Sequence, residues 1–388
     1  MTFVKLCISS QNNMRNHKTI RILLVGFTGV LTLVITEAVA QSKTSSTSAK
    51  TAGEAYKNIQ VLKDAPAEQL VPAMQFISAS LGVGCDHCHV QGAFEKDDKK
   101  GKQTARKMMQ MTLAINQNNF DGHQEVTCYS CHRGGAKPIS IPIISDEVTS
   151  LIPPPPPTAP ADLPSGNNLV EKYIQALGGM DALKKVSSRV EKGKASSAGR
   201  EYPVDILAKS PAKGLTVTHL PDGDLASAYS AQSGWQLAPG RPTRELTGTE
   251  IDGAKIDSSF YFPVHLTEIL SEFETTGIEK IDAHSVFAVR GRQPNQLPIR
   301  LFFDQESGLL VRQIRYEPTP LGRIPVQTDF SDYRDTNGVK VPYQRITSRP
   351  GRRLVTKIDS VEQNIKLEDS KFEKPPNQSA TGQQTSSK

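Results

Sequence analysis

Tryptophan, cysteine and long apolar runs are all scarce in this chain of 388 residues, and each shortage closes off a class of function. There is a single Trp, at position 235, and the basic excess is a mild +6 with Lys and Arg interleaved among acids. With no aromatic platform beside a basic stripe, a nucleic-acid partner is not indicated. No apolar stretch reaches the roughly twenty residues that a membrane-spanning helix needs. Beyond residue 165 there is no cysteine, no phosphate-cradling loop and no nucleophile with an evident base. His219, His265 and His284 stand singly there, so packing is the expected role for each of them and for Trp235.

What cysteine there is falls almost wholly in two pentapeptides, Cys85-Asp86-His87-Cys88-His89 and Cys128-Tyr129-Ser130-Cys131-His132, with only Cys7 elsewhere. Both read C-x-x-C-H, the attachment signature of c-type haem. Two thiols three positions apart can add to the two vinyl groups of one porphyrin, and the following imidazole then meets the iron. The expected cofactors are two covalently bound haem c groups. One is held by Cys85 and Cys88 with His89 as axial ligand, the other by Cys128 and Cys131 with His132. A zinc site or redox-active C-x-x-C pairs would leave both histidines unexplained.

A closing sixth ligand would have to come from nearby. Leu70, Met74, Ile77 and Leu81 recur at helical spacing up to Gly82, which is a stop signal. Pro72 must begin this helix or kink it. A second helix is expected over 102–116, where Met108, Met111 and Ile115 share one face and Met109 and Leu113 another. A methionine on an apolar face serves equally as core, so pattern alone leaves Met74 open and offers three candidates in the second helix. His123 is expected at the surface.

These residues resemble the multihaem cytochrome c subunit of photosynthetic reaction centres. The likeness lies in Tyr56 to Leu62, in Ala105-Arg106-Lys107-Met108 with Met111-Thr112 and Ile115-Asn116, and in Val126 to Gly134. It runs over residues 54–138, about a fifth of the chain. In that family a helix carrying the methionine ligand precedes each haem site. The resemblance thus implies Met74 as sixth ligand for the first haem and Met108 for the second, both irons closed and passing electrons. The family's usual four haems and lipid anchor are not matched, since only two attachment sites and no lipobox Cys are present. A reaction-centre partner is therefore not implied.

In chain order, residues 1–40 read as a signal peptide. Arg15, Lys18 and Arg21 precede the apolar run 22–35, and Ala38-Val39-Ala40 fits a cleavage site. Periplasmic export follows. Residues 41–53 form a Ser/Thr/Lys/Ala-rich disordered linker, and 54–138 the di-haem module. The charged run 94–102 is expected to be a solvated loop or a steering patch for a redox partner. Pro-rich 139–164 is a semi-rigid spacer.

Residues 165–375 open with a helix over 167–177, followed by a short one. Alternation and turn signals then recur every eight to twelve residues, with hairpins expected at Asp222-Gly223, Asp252-Gly253, Ser307-Gly308 and Asn337-Gly338. Phe303 to Arg312 and Asp332 to Pro342 look like parts of the lipoprotein-carrier-like fold, which implies a curved antiparallel sheet on helices and a cleft for a lipid or peptide. A disordered tail, 376–388, closes the chain.

The fold expected is thus multidomain: a mostly α di-haem cytochrome c module, then an α+β domain. The function expected is electron transfer between redox proteins or small electron carriers, without enzymatic chemistry. The alternatives are a peroxidase-like enzyme with one open iron, and a redox-sensing or ligand-binding protein acting through its β domain.

Overall fold

Helices carry the first part of the chain and strands most of the rest. The computed structural model describes residues 50–138, 162–230, 233–246, 248–292 and 297–375. The expected signal peptide, most of both linkers and all of the tail lie outside these residues. Order begins a little before residue 54, because Thr51 and Glu54 form a reciprocal capping box on α1 (Ala52–Ala55). Ala52 is completely buried there.

Helix α2 (Ala67–Leu81) starts after Pro66 and runs through Pro72. It stops at Gly82, whose φ of 64° is the left-handed conformation that glycine adopts without cost. α3 (Lys100–Asn119) and α4 (Cys128–His132) complete the module. Their buried apolar side chains are few: Ala52, Leu62, Leu70, Ala73, Phe76 and Met109. The cluster they form is completed by Leu321 and Ile324 from far along the chain, 2% and 0% exposed.

After the linker, α5 (Gly166–Ala176) is capped by Ser165, whose hydroxyl accepts from the Asn168 amide. It buries Leu169, Val170, Tyr173 and Ile174 against the sheet. α6 (Met180–Lys184) follows. Six strands come next: β1 (Ser188–Ser197), β2 (Arg200–Lys209), β3 (Lys213–Leu220), β4 (Gly223–Ser230), β5 (Ser233–Leu237) and β6 (Arg244–Glu245). The chain then crosses over through α7 (Thr249–Ser259) and α8 (Leu266–Ile269). It returns as β7 (Glu272–Ile281), β8 (His284–Arg292), β9 (Ile299–Asp304), β10 (Leu310–Thr319), β11 (Gly322–Thr336), β12 (Val339–Arg349) and β13 (Arg352–Gln363).

All thirteen strands make one open antiparallel sheet in the order β6-β5-β4-β3-β2-β1-β13-β12-β11-β10-β9-β8-β7. The first and last strands therefore pair at its middle, and the two edges are β6 and β7. At Asn337-Gly338 both φ values are positive, 54° and 81°, as a two-residue hairpin turn requires. Asp252-Gly253 departs from expectation, because both residues lie inside α7. A Cβ on Gly253 would come within 2.8 Å of Arg315 Nη1, so this glycine serves the close approach of helix to sheet, and no hairpin forms there.

Candidate functional site

The first pentapeptide is a single helical turn. The Cys88 and His89 amides both donate back to Cys85 O, at 3.3 and 3.0 Å. This turn places Cys85 outward, Cys88 half-buried and His89 on the inner side. The His89 Nδ1–H donates to Phe94 O at 2.9 Å, leaving Nε2 free to ligate. The first turn of α3 packs directly on this site, since a Cβ on Gly101 would lie 2.9 Å from His87 O and 3.6 Å from Cys88 Sγ.

The charged run 94–102 is organised by one side chain. Lys102, 8% exposed, donates to the carbonyls of Phe94, Glu95 and Lys96 at 2.9, 2.9 and 2.8 Å and pairs with Asp97 at 3.0 Å. Hydrogen bonds from Arg106, then Lys102 and Asn58, hold the Asp97 carboxyl well below the usual carboxylate range. The segment is a loop tied at one point, with Phe94, Glu95, Lys96 and Asp98 exposed to solvent as expected, and its residues also shape the histidine's surroundings.

The second pentapeptide is α4 itself, capped by Thr127, whose amide donates to Ser130 Oγ at 3.0 Å. The Ser between the two cysteines is thus part of the cap. Arg133 ends the helix in the left-handed region. His132 Nδ1–H donates to Gly135 O at 2.9 Å, the same arrangement as at His89. Asn116, 6% exposed, clamps the approach: its Nδ2 donates to Val126 O at 2.7 Å and its Oδ1 accepts the Val126 amide at 2.9 Å. Helix α3 therefore supports one site with each end.

The two sites are also tied through α2. The Gly134 amide donates to Ser80 O at 2.9 Å, and a Cβ on Gly82 would sit 2.1 Å from Gly134 O. Only glycine allows that approach. Met74 is half-buried beside the shared cluster, and Met109 is committed to it at 8% exposed. Met108 and Met111 project outward, 38% and 46% exposed. His123 is exposed.

A large flat apolar group fits this module. Nine large apolar side chains are exposed among the described residues, and eight of them lie between Tyr56 and Tyr129. Of these, Phe94 lies against the His89 ring, their centroids 5.3 Å apart, and Tyr129 sits inside the second pentapeptide, so apolar surface is open at both sites where a porphyrin would be held. Burial pushes up the thiols of Cys88, which Lys99 partly offsets, and of Cys128. Among the described residues no three His, Cys, Asp or Glu side chains converge as a metal cage.

The sheet adds two cavities. A polar cleft of about 240 Å³ lies between α2 and the strands, lined by Glu68, Arg244, Glu250, Asp257, Arg315 and Glu317. Between the helices and the concave core, next to Tyr173, Arg189 and Tyr333, the room is only about 10 Å³. That is no more than a water occupies. Among the described residues, no helix is long and apolar enough to cross a membrane.

Two C-x-x-C-H turns with matched histidine geometry have the pattern that c-type haem attachment requires. Residues 30–153 match the family described as Photosynthetic reaction centre cytochrome C subunit. Over 92 residues the chain is 37% identical to the Photosynthetic reaction center cytochrome c subunit of Thermochromatium tepidum, which is 22% of either chain. Over 82 residues it is 34% identical to Cytochrome c-554 of Chloroflexus aurantiacus, covering 19% of this chain and 20% of that one. The alignment thus spans about a fifth of each of those relatives. The strands are similar to a LolA superfamily protein from Nitrosomonas europaea, with a TM-score of 0.39, 14% identity, and coverage of 55% of this chain and 99% of that one.

Lys102 and Asn116 were not found from sequence as site residues. Lys102 carries no motif, Asn116 enters only as part of the resemblance in Ile115-Asn116, and neither residue type announces burial in a polar-looking helix.

Proposed function

We propose that this chain is an exported di-haem c-type cytochrome that carries electrons between redox partner proteins or small electron carriers. The observation that carries the reading is the pairing of each C-x-x-C turn with a histidine whose Nδ1–H is already given to a backbone carbonyl. That bond fixes the tautomer and orients Nε2 toward a metal. When bound, haem supplies a reversible one-electron Fe(III)/Fe(II) couple, filled by one partner and emptied by another.

The chain's part is to hold, orient and insulate. Cys85, Cys88, Cys128 and Cys131 anchor the two groups, and His89 and His132 provide the proximal nitrogen. Met74 and Met108 provide the distal sulfur, the choice of Met108 over Met111 resting on the family resemblance. No general acid or base is required, so the protein acts as a carrier. The β domain serves as the platform on which the module is built.

Pyridine haemochrome analysis of the exported, mature protein tests this reading, with two haems per chain expected. One haem, or none, would refute it. Slow binding of carbon monoxide and cyanide is expected of two closed irons, whereas rapid binding at one iron would favour a peroxidase-like enzyme.

A further inference from the structure

The two histidines donate the same kind of hydrogen bond to the backbone, yet their acceptors differ. Gly135 O accepts only from His132 among the described residues. Phe94 O accepts from His89 at 2.9 Å and, on its other lone pair, from the Lys102 ammonium, also at 2.9 Å. The ammonium is nearly enclosed, its side chain 10% exposed, so solvent screens it weakly. Its counter-ion Asp97 is shared with Arg106 at 2.9 Å, and the three groups together carry a net charge of +1.

Lys102 is also out of place on local grounds. It lies in the first turn of α3, which holds Lys100 and Lys102 and no acid. A helix N-terminus disfavours cations there. Burying a lysine at that end is therefore explained by what its head group touches.

A carbonyl polarised by a cation is a poorer acceptor for its second donor. The His89 Nδ1–H bond is weakened, the imidazole is less electron-rich, and its support for ferric iron falls. The nearby positive charge acts in the same sense, since oxidation adds a positive charge at the metal. Both effects favour the reduced state at one site only.

We infer that Lys102 is a positioning residue that raises the reduction potential of the haem on Cys85 and Cys88 above that set by His89 alone, by sharing the Phe94 carbonyl with it. The inference rests on the di-haem reading. It makes the two sites unequal by design, with the site on His132 lacking this contribution.

The test is a spectroelectrochemical titration of the full, haem-loaded protein with the variants Lys102→Met and Asp97→Asn. Lys102→Met should lower one of the two potentials by an amount on the order of a tenfold change in the reduction equilibrium, ~59 mV for a one-electron couple. Asp97→Asn, which removes the counter-charge while keeping the ammonium, should raise that same potential. A merely structural tie would move both variants the same way. The His89 Nδ1–H proton resonance of the reduced protein should move downfield in Lys102→Met, as its hydrogen bond strengthens.

Shifts of the same sign, equal shifts of both haems, or unchanged potentials would overturn the inference. If Lys102→Met does not fold, the sign for Asp97→Asn decides alone. A wild-type haem count below two would instead refute the di-haem reading.

Discussion

Phe76 of α2 points the Cζ end of its ring at Gly322 at the tip of the β10–β11 hairpin, so close that a Cβ there would stand 2.4 Å from its Cζ. The neighbouring Leu321 and Ile324 are buried in the same cluster, and Gln124 Nε2 donates to Thr319 O at 3.0 Å. Haem module and sheet therefore share one core at this point. Gly322→Val should destabilise the protein by about 1–3 kcal/mol through overpacking. Thermal unfolding followed at the Soret band and in the far ultraviolet would show the loss, with the Soret transition moving at least as far. An unchanged Soret transition would mean that the module stands without the hairpin.

Glu191 is completely buried on β1 and receives both Arg345 Nη groups, at 2.7 and 2.9 Å. Arg189 lies 3.9 Å from the same carboxylate, and its Nε has no hydrogen-bond partner among the described residues. Removing the shared anion would leave two guanidinium groups facing each other in the core. Glu191→Gln is expected to cost about 3–5 kcal/mol. Chemical denaturation monitored by circular dichroism would check it, and a loss under 1 kcal/mol would show that water reaches the pair.

Methionine and histidine set different potentials at a haem. Met74→His and Met108→His should each lower one potential and leave the other nearly unchanged, because nitrogen favours ferric iron more than a thioether does. Redox titration of each variant decides the assignment. If Met108→His moves nothing while Met111→His does, the second ligand is one turn further along α3.

The segment after β13 is held by charge as well as by burial. Asp369 pairs with Lys209 and Lys213 at 2.6 and 2.9 Å, and these bonds hold its carboxyl down at about 2. A depressed carboxylate contributes stability above its unfolded value of about 4 and loses it as pH falls through the folded value. Docking of this segment should therefore weaken between pH 4 and 2. The single Trp235 reports on it, since its indole N–H donates to Phe372 O at 2.9 Å. Its emission should shift over that pH range in the wild type, and the Asp369→Asn variant should lack that component.

The haem turns were legible because their chemistry dictates residue types at fixed spacing. The strands were legible where alternation was clean, as in β11, or where an apolar run was short and buried, as in β9, and obscure where neither held. β1, with Lys192, Gly193 and Lys194 at its centre, and β7, with four acidic or basic residues in ten, read as polar connections. α7 was missed because its Asp-Gly pair resembles a hairpin turn, and only the position of Arg315 reveals why glycine is there. The union of module and sheet left no local trace, since Leu321 and Ile324 look like any hairpin residues until Phe76 is set beside them. Lys102 was hidden for the same reason: a carbonyl shared by two donors has no signature in sequence.

The shared cluster also sets an order of assembly. A ribosome makes Phe76 long before Leu321 and Ile324, so the segment that must receive its cofactors emerges first and waits for its floor. In the finished fold the thiols of Cys85 and Cys131 stay exposed and those of Cys88 and Cys128 are half-buried, so what waits is the packing beneath them. Closure comes only when the last third of the chain arrives.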